Sequence, residues 1–151
     1  MASANHTSYP DPSALVKLYL HEAQSRAMAT WRAKSRGPVT ISAFGLLEVT
    51  NALALAAHRH FISPEAHRAA VQALDDDLLA GRTALVDLPW RATLERARDL
   101  SRQHTPALGT RTLDLLHVAS ACELGAKTFL TYDLRQQRLA EVAGLRVLAP
   151  V

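Results

Sequence analysis

Four acidic residues stand at positions where a carboxylate could bind a ligand or a metal ion: Asp11, Glu48, Asp114 and Asp133. Asp133 follows a β-branched, apolar segment and precedes an amphipathic one, and ligands of open α/β sheets bind beyond the carboxyl ends of the strands. Hard cations such as Mg²⁺ select oxygen ligands and take only one or two carboxylates directly, because waters fill the other positions. Four carboxylates are enough for one or two such ions, provided that the fold gathers them.

Two of these acids can also be interpreted as helix caps. Asp133, with Gln136 three residues later, matches a capping box, in which side chains satisfy the backbone N–H groups at a helix start. Asp11-Pro12 matches an N-cap followed by proline at the first helical position. The sequence leaves both interpretations open.

The other two acids lie inside strongly apolar segments that should be helical. Glu48 and Asp114 must each reach solvent, a partner or a metal ion, and a solvated helix face is the plainest alternative. Asn51 follows Glu48 by three residues, and His117 follows Asp114 by three, so each acid belongs to a polar stripe one turn long.

Other polar groups are better explained without a site. We expect a hydrogen-bonded core residue at His117, a solvated face at Asp75-Asp76-Asp77, surface positions for His58 and His60, and a small core residue at Cys122.

The elements that must position the acids alternate between short β-branched runs and longer amphipathic stretches, which indicates an α/β fold with one parallel sheet flanked by helices on both sides. The predicted strands are Val39–Ile41, Ala84–Asp87, Thr128–Thr131 and Arg146–Leu148. The predicted helices are Ser13–Leu20, Glu22–Lys34, Ala43–His60, Pro64–Ala80, Pro89–His104, Arg111–Leu124 and Leu134–Val142. Residues 5–10 form a poor strand, because Pro10 lacks the N–H that a central strand donates.

Composition is that of a folded globular protein, with 48% hydrophobic and 21% charged residues among 151. This length predicts a single domain over residues 1–151, and no linker or repeat divides it. A net charge of +3 suits a polyanionic partner without proving one. The longest apolar run, Ala52 to Ala57, is too short to span a membrane, and no secretory signal is evident, so we expect a cytoplasmic protein.

Four segments around the acids resemble the motifs of PIN-domain proteins, in the correct order and over nearly the whole chain. They are Asp11-Pro12-Ser13-Ala14-Leu15-Val16-Lys17-Leu18-Tyr19, Leu47-Glu48-Val49-Thr50-Asn51-Ala52-Leu53, Thr110-Arg111-Thr112-Leu113-Asp114-Leu115-Leu116-His117 and Leu130-Thr131-Tyr132-Asp133. The chain is most similar to the VapC-like toxins of bacterial and archaeal toxin-antitoxin pairs.

This resemblance implies an endoribonuclease that depends on Mg²⁺ or Mn²⁺, with an RNA substrate, a cognate antitoxin and a homodimeric assembly. By motif position, the catalytic and metal-binding acids are Asp11, Glu48, Asp114 and Asp133. Ser13 supplies a hydroxyl near the metal, and Thr131 is a lesser candidate for orienting water. Basic residues near the motifs are candidates for binding RNA or are ordinary surface charges: Lys17, Arg111, Arg135 and Arg138.

Two other functional classes stay open. A PIN-like scaffold or RNA-binding protein with impaired catalysis is favoured by the irregular approach to Asp11. An unrelated α/β hydrolase or phosphotransfer protein would also place acids after its strands, but the chain contains neither a nucleophile elbow nor a glycine-rich phosphate loop.

Overall fold

Helices and strands alternate along the chain in the computed structural model, which describes residues 7–151. The strands are β1 (Ser8–Pro10), β2 (Val39–Ser42), β3 (Thr83–Val86), β4 (Thr128–Leu130) and β5 (Arg146–Leu148). The helices are α1 (Pro12–Leu15), which a 3₁₀ turn over Val16–Leu18 extends, α2 (Ser25–Lys34), α3 (Ala43–His58), α4 (Pro64–Leu79), α5 (Trp90–Leu108), α6 (Thr112–Glu123) and α7 (Leu134–Val142). The predicted α/β class is confirmed.

All strand pairs in the described part of the chain are parallel, as predicted, but the strands form two hydrogen-bonded sheets where we expected one. One sheet has the order β1-β4-β5 and the other pairs β2 with β3. The chain correspondingly divides into two compact units. The first comprises residues 7–11 and 87–149, and the second comprises residues 12–86 and 150–151.

In the first unit, β4 lies between β1 and β5, and the core forms around it. Phe129 of β4 is fully buried and stacks on Tyr9 of β1, with the ring centroids 5.5 Å apart. Helices α5, α6 and α7 supply the rest of this core through small and aliphatic side chains such as Ala97, Val118 and Leu139. The carboxyl ends of the three parallel strands meet at one edge of this sheet.

The first strand is short but regular, which corrects the prediction that residues 5–10 form a poor strand; of these, 5 and 6 lie outside the described residues. Ser8, Tyr9 and Pro10 pair in register with Thr128, Phe129 and Leu130. The Asp11 N–H continues the ladder by donating to the Leu130 carbonyl at 3.0 Å. Among the strands of residues 7–151, β1 pairs with β4 alone, so proline is tolerated there and the missing N–H of Pro10 costs no ladder bond.

Helix α5 runs past its predicted end at His104 and continues through Pro106 to Leu108. A proline in a final turn removes one N–H donor while the side-chain packing of the long helix persists. Gly109 ends the helix in the left-handed conformation, at φ 63°, and its N–H donates to the Thr105 carbonyl at 2.8 Å. This ending leads directly into Thr110 and Arg111, at the start of α6.

In the second unit, α3 and α4 pack on the β2-β3 pair around a core that includes Ile41, Val49 and Leu74. Both helices begin at a serine cap. The hydroxyl of Ser42 accepts the Gly45 N–H at 3.0 Å, and that of Ser63 accepts the Ala66 N–H at 3.0 Å.

The predicted solvated face over Asp75-Asp76-Asp77 is confirmed for Asp75 and Asp76, which are exposed, and is wrong for Asp77. Its side chain is buried, and it accepts hydrogen bonds from Tyr19 at 2.7 Å, Arg82 at 2.7 Å and Arg32 at 2.6 Å. Burial opposes ionisation of this carboxyl, but the hydrogen bonds from Arg82, Tyr19 and Arg32 prevail and lower its pKa below the ordinary 3.8. Burial is also the main cause that raises the pKa of Tyr19 to about 12.

No helix among residues 7–151 combines the length and the apolar character that crossing a membrane requires.

Candidate functional site

Asp11 is fully buried at the carboxyl end of β1. The Thr131 hydroxyl, also buried, donates to Asp11 Oδ2 at 2.7 Å. The same hydroxyl accepts the backbone N–H of Asp133 at 3.1 Å. Because a carboxylate out of water needs donors, the residues that follow the adjacent strand β4 hold Asp11 in place. Thr131 thus links Asp11 to Asp133.

Asp133 caps α7 and keeps one oxygen for another partner. Its Oδ1 accepts the backbone N–H groups of Arg135 at 2.8 Å and Gln136 at 3.1 Å, which confirms the N-cap. Its Oδ2 accepts from Arg111 Nη2 at 3.3 Å. The predicted capping box is wrong in its second half, because the Gln136 amide does not return to the Asp133 backbone but contacts Asp114.

Asp114 lies in the first turn of α6 with 2% of its surface exposed, so the solvated-face interpretation is wrong for this residue. Its Oδ2 accepts the backbone N–H of Arg111 at 3.0 Å and Arg111 Nε at 3.2 Å. Its Oδ1 accepts Gln136 Nε2 at 3.2 Å and lies 3.4 Å from Arg111 Nη2. Asp114 therefore fixes the start of its own helix and joins α6 to α7.

Arg111 lies between two of the predicted acids. Its guanidinium pairs with both Asp114 and Asp133, although 61% of its side chain is exposed. The hydrogen bond to Asp114 is the main cause that raises the arginine's pKa above its ordinary value, and the charge of Asp133 adds to it. Arg111 is therefore the counter-ion of these two carboxylates, besides being a predicted RNA-binding residue.

Three predicted acids of the first unit thus belong to one continuous set of contacts. Asp11 is joined to Asp133 through Thr131, and Asp133 to Asp114 through Arg111. Among residues 7–151, no three His, Cys, Asp or Glu side chains are arranged as a ready-made metal site. The donor chemistry nevertheless suits a hard cation, because two carboxylates already converge on one positive group and the buried Gln136 Oε1 has no hydrogen-bond partner in the described chain.

The remaining predicted acid and hydroxyl belong to the second unit. Glu48 is partly buried on α3, whereas Asn51, the other member of its stripe, is exposed. Ser13 is partly buried in α1. Participation of Glu48 and Ser13 in the site stays a prediction.

The predicted RNA-binding residues differ in how available their charges are. Arg135 and Arg138 are exposed on α7 in the first unit. Lys17, in the second unit, pairs with Glu22 at 2.8 Å and has only 12% of its side chain exposed. Its charge is therefore less available to an RNA phosphate than those of the two arginines.

His117 is a core residue, as predicted. It is 1% exposed, and its Nδ1 lies 2.8 Å from the Tyr9 hydroxyl. The contact of Gln136 with Asp114 was not predicted, because the three-residue spacing of Gln136 from Asp133 matches a helix cap equally well. Gln136 lies on the same side of α7 as the buried Leu139 and Ala140, and this position was the signal that could have indicated another role.

Comparison with known proteins identifies the family. The PIN domain profile matches residues 8–142, and the chain belongs to the PIN-domain family. The fold is similar to that of Mycobacterium tuberculosis VapC20, a sarcin-ricin loop cleaving toxin, with a TM-score of 0.68 at 19% identity, over 95% of this chain and 99% of that one. It is also similar to FitAcB from Neisseria gonorrhoeae, with a TM-score of 0.67 at 19% identity, over 95% and 97% of the two chains. A comparison with curated protein sequences found no match.

Proposed function

We propose that this protein is an endoribonuclease that cleaves RNA with the help of Mg²⁺ or Mn²⁺. PIN domains are generally nucleases. The observation that carries the proposal is the convergence of Asp114 and Asp133 on one cationic group, with Asp11 tied to the same sheet edge through Thr131. Carboxylates so placed are the ligands that a hard divalent cation takes.

The proposed metal ligands are Asp11, Asp114, Asp133 and Glu48. A bound divalent ion would neutralise phosphate charge and make a water molecule more acidic. Thr131 holds the Asp11 carboxylate in one orientation, and Gln136 does the same for Asp114. Glu48 and Ser13 are included on their motif positions alone, and Ser13 would supply a hydroxyl. The exposed Arg135 and Arg138 attract the RNA backbone.

The test is cleavage of a mixed RNA pool by the purified protein, with Mn²⁺ or with a chelator. We expect cleavage with Mn²⁺ only, its loss in Asp11→Asn and Asp114→Asn, and weaker Mn²⁺ binding by calorimetry in Asp114→Asn. Asp99→Asn is the matched control, because Asp99 is an acid of the same unit whose side chain is 64% exposed. Unchanged Mn²⁺ affinity in Asp114→Asn would contradict the proposed site.

A second candidate function is RNA binding without cleavage. The pairing of Arg111 with Asp114 and Asp133 favours it, since the arginine already neutralises part of the charge that a metal ion would need. A protein of this kind would bind the RNA pool equally well with chelator and would leave it uncut with Mn²⁺.

We further propose that the nuclease is the toxin of a toxin-antitoxin pair acting in the cytoplasm, with a cognate antitoxin as its inhibitor and a homodimer as its assembly. Support comes from the PIN family and from the likeness in fold to the VapC20 toxin. Adding the product of the neighbouring reading frame should abolish cleavage and form a stable complex. Sedimentation of the chain alone would establish whether it dimerises.

A further inference from the structure

Arg111 occupies carboxylate lone pairs of Asp114 and Asp133 that a metal ion would also use. Asp133 Oδ1 is occupied by two backbone N–H groups of α7, so Oδ2 is the oxygen left for a metal ion. Arg111 Nη2 holds that oxygen at 3.3 Å. A magnesium ion binds a carboxylate oxygen at about 2.1 Å, where it would face the guanidinium directly.

The contacts of Arg111 are long for charge-assisted hydrogen bonds. Arg111 lies 3.2 Å and 3.4 Å from the Asp114 oxygens and 3.3 Å from Asp133 Oδ2. In the second unit, Arg32 and Arg82 approach the single carboxylate of Asp77 to 2.6 Å and 2.7 Å. Charge-assisted N–H···O bonds are typically about 2.7–2.9 Å long, so the Arg111 pairs are the weaker ones.

The charge at this place is also incompletely balanced. Two carboxylates face one monovalent guanidinium, and one of them, Asp114, is 2% exposed, so it depends on nearby donors rather than on water. A divalent cation would match the two negative charges. The arginine side chain is 61% exposed and can move into solvent, and the ion that replaces it would compensate the buried Asp114 charge.

We propose that Arg111 is a built-in competitor of the catalytic metal ion: its guanidinium and the ion are alternative occupants of the Asp114–Asp133 pair. This inference rests on the proposed nuclease function. Arg111 is a positioning residue that holds both carboxylates in place until the ion displaces it. Metal affinity in this protein is therefore set partly by an arginine that is not a ligand.

The experiment is Mn²⁺ calorimetry of the wild type, Arg111→Gln and Arg98→Gln. The Arg98 variant is the matched control, because it removes the same charge from an exposed position of the same unit. We expect Arg111→Gln to bind Mn²⁺ about fivefold or more tightly than the wild type, since the competing cation is gone, and Arg98→Gln to bind as the wild type does. Thermal unfolding of each variant checks that it is folded. Arg111→Lys keeps the charge but lacks the planar guanidinium that can bind two carboxylates, so its Mn²⁺ affinity should lie between those of the wild type and Arg111→Gln.

A second readout follows the arginine itself. In the wild type, a Mg²⁺ titration should shift the Nε–H resonance of Arg111, assigned by its absence from Arg111→Gln, and should leave that of Arg98 unchanged. If the wild type binds Mn²⁺ and Arg111→Gln binds it equally or more weakly, the competition is overturned while the metal site stands. Equal tightening in both glutamine variants would also overturn it, since it would show a general charge effect. If neither the wild type nor Arg111→Gln binds metal, the nuclease proposal falls as well.

Discussion

The Thr131 hydroxyl donates to the buried Asp11 carboxylate at 2.7 Å, and this bond joins the ends of two adjacent parallel strands. Both residues are fully buried, so neither can exchange its partner for bulk water. The register of β1 on β4 places the two side chains together, and the hydroxyl fixes the orientation of the carboxylate. Positioning of Asp11 therefore depends on a residue 120 positions away in the chain.

Thr131→Val removes this donor while keeping the shape of the side chain. We expect a loss of about 1–3 kcal/mol in the free energy of unfolding, because Asp11 and the Asp133 N–H each lose a partner. Urea denaturation measures it. Thr93→Val is the matched control, since Thr93 is also fully buried but its hydroxyl has no partner in the described chain, so its loss should be neutral or stabilising. Equal losses in both variants would mean that the Thr131 bond contributes nothing.

Asp133 combines a cap with a charge, and two substitutions separate these roles. Asp133→Ser keeps an oxygen for the Arg135 and Gln136 N–H groups, so we expect stability close to that of the wild type but much weaker Mn²⁺ binding and cleavage. Asp133→Ala should lose the same activity and, in addition, about 1 kcal/mol of stability. Denaturation and calorimetry on both variants provide the comparison. Full metal affinity in Asp133→Ser would restrict Asp133 to capping.

Local pattern was sufficient for the positions of most elements, with β1 and the end of α5 as exceptions, and insufficient for their contacts. The predicted helix Leu134–Val142 and strand Arg146–Leu148 match the observed bounds, because periodicity and capping residues are local signals. The division into two sheets depends on pairing between strands far apart in sequence, such as Ser8 with Thr128, for which no local signal exists. Helix α5 passes Pro106 because tertiary packing outweighs one lost hydrogen bond.

The same limit applies to the site. The position of Asp133 at a strand end was predicted from the sequence, because Asp133 follows an apolar run. Asp11 was recognised only by its resemblance to a family motif, since the residues before it were expected to form a poor strand. The contact of Gln136 with Asp114 and the bridge through Arg111 were not predicted, since both depend on how α6 packs against α7. For Asp77 the sequence indicated a solvated acid in a run of three. Its burial depends on Tyr19 and Arg32, which are distant in sequence, so it was not predicted.

Asp77→Asn tests that buried cluster. We expect a loss of about 2 kcal/mol, because Tyr19, Arg32 and Arg82 lose a charged acceptor, whereas the exposed Asp75→Asn should change little. The pKa of Asp77 is lowered in the folded protein, so its stabilisation is fully present above about pH 4 and is lost as the pH falls through the folded pKa. The stability difference between wild type and Asp77→Asn, followed by urea denaturation, should therefore shrink below pH 4. A difference that stays constant down to pH 2 would contradict this origin.

For the proposed RNA substrate, the exposure of the basic residues predicts which of them should contact its phosphates. The measurement uses an Asp114→Asn background, in which we expect no cleavage. Arg135→Gln and Arg138→Gln should each reduce the slope of log affinity against log salt by about 0.7, since each should remove one phosphate contact from a single strand. Lys17→Gln should change the slope less, because Lys17 is paired with Glu22 and 12% exposed. Filter binding between 50 and 200 mM salt, roughly the range in which phosphate contacts dominate, measures the slopes. Arg98→Gln, an exposed arginine outside the motifs, is the control. Equal salt slopes for all four variants would mean that these residues act only as nonspecific surface charge. A defined RNA-binding surface requires a larger change in slope for Arg138→Gln than for Arg98→Gln.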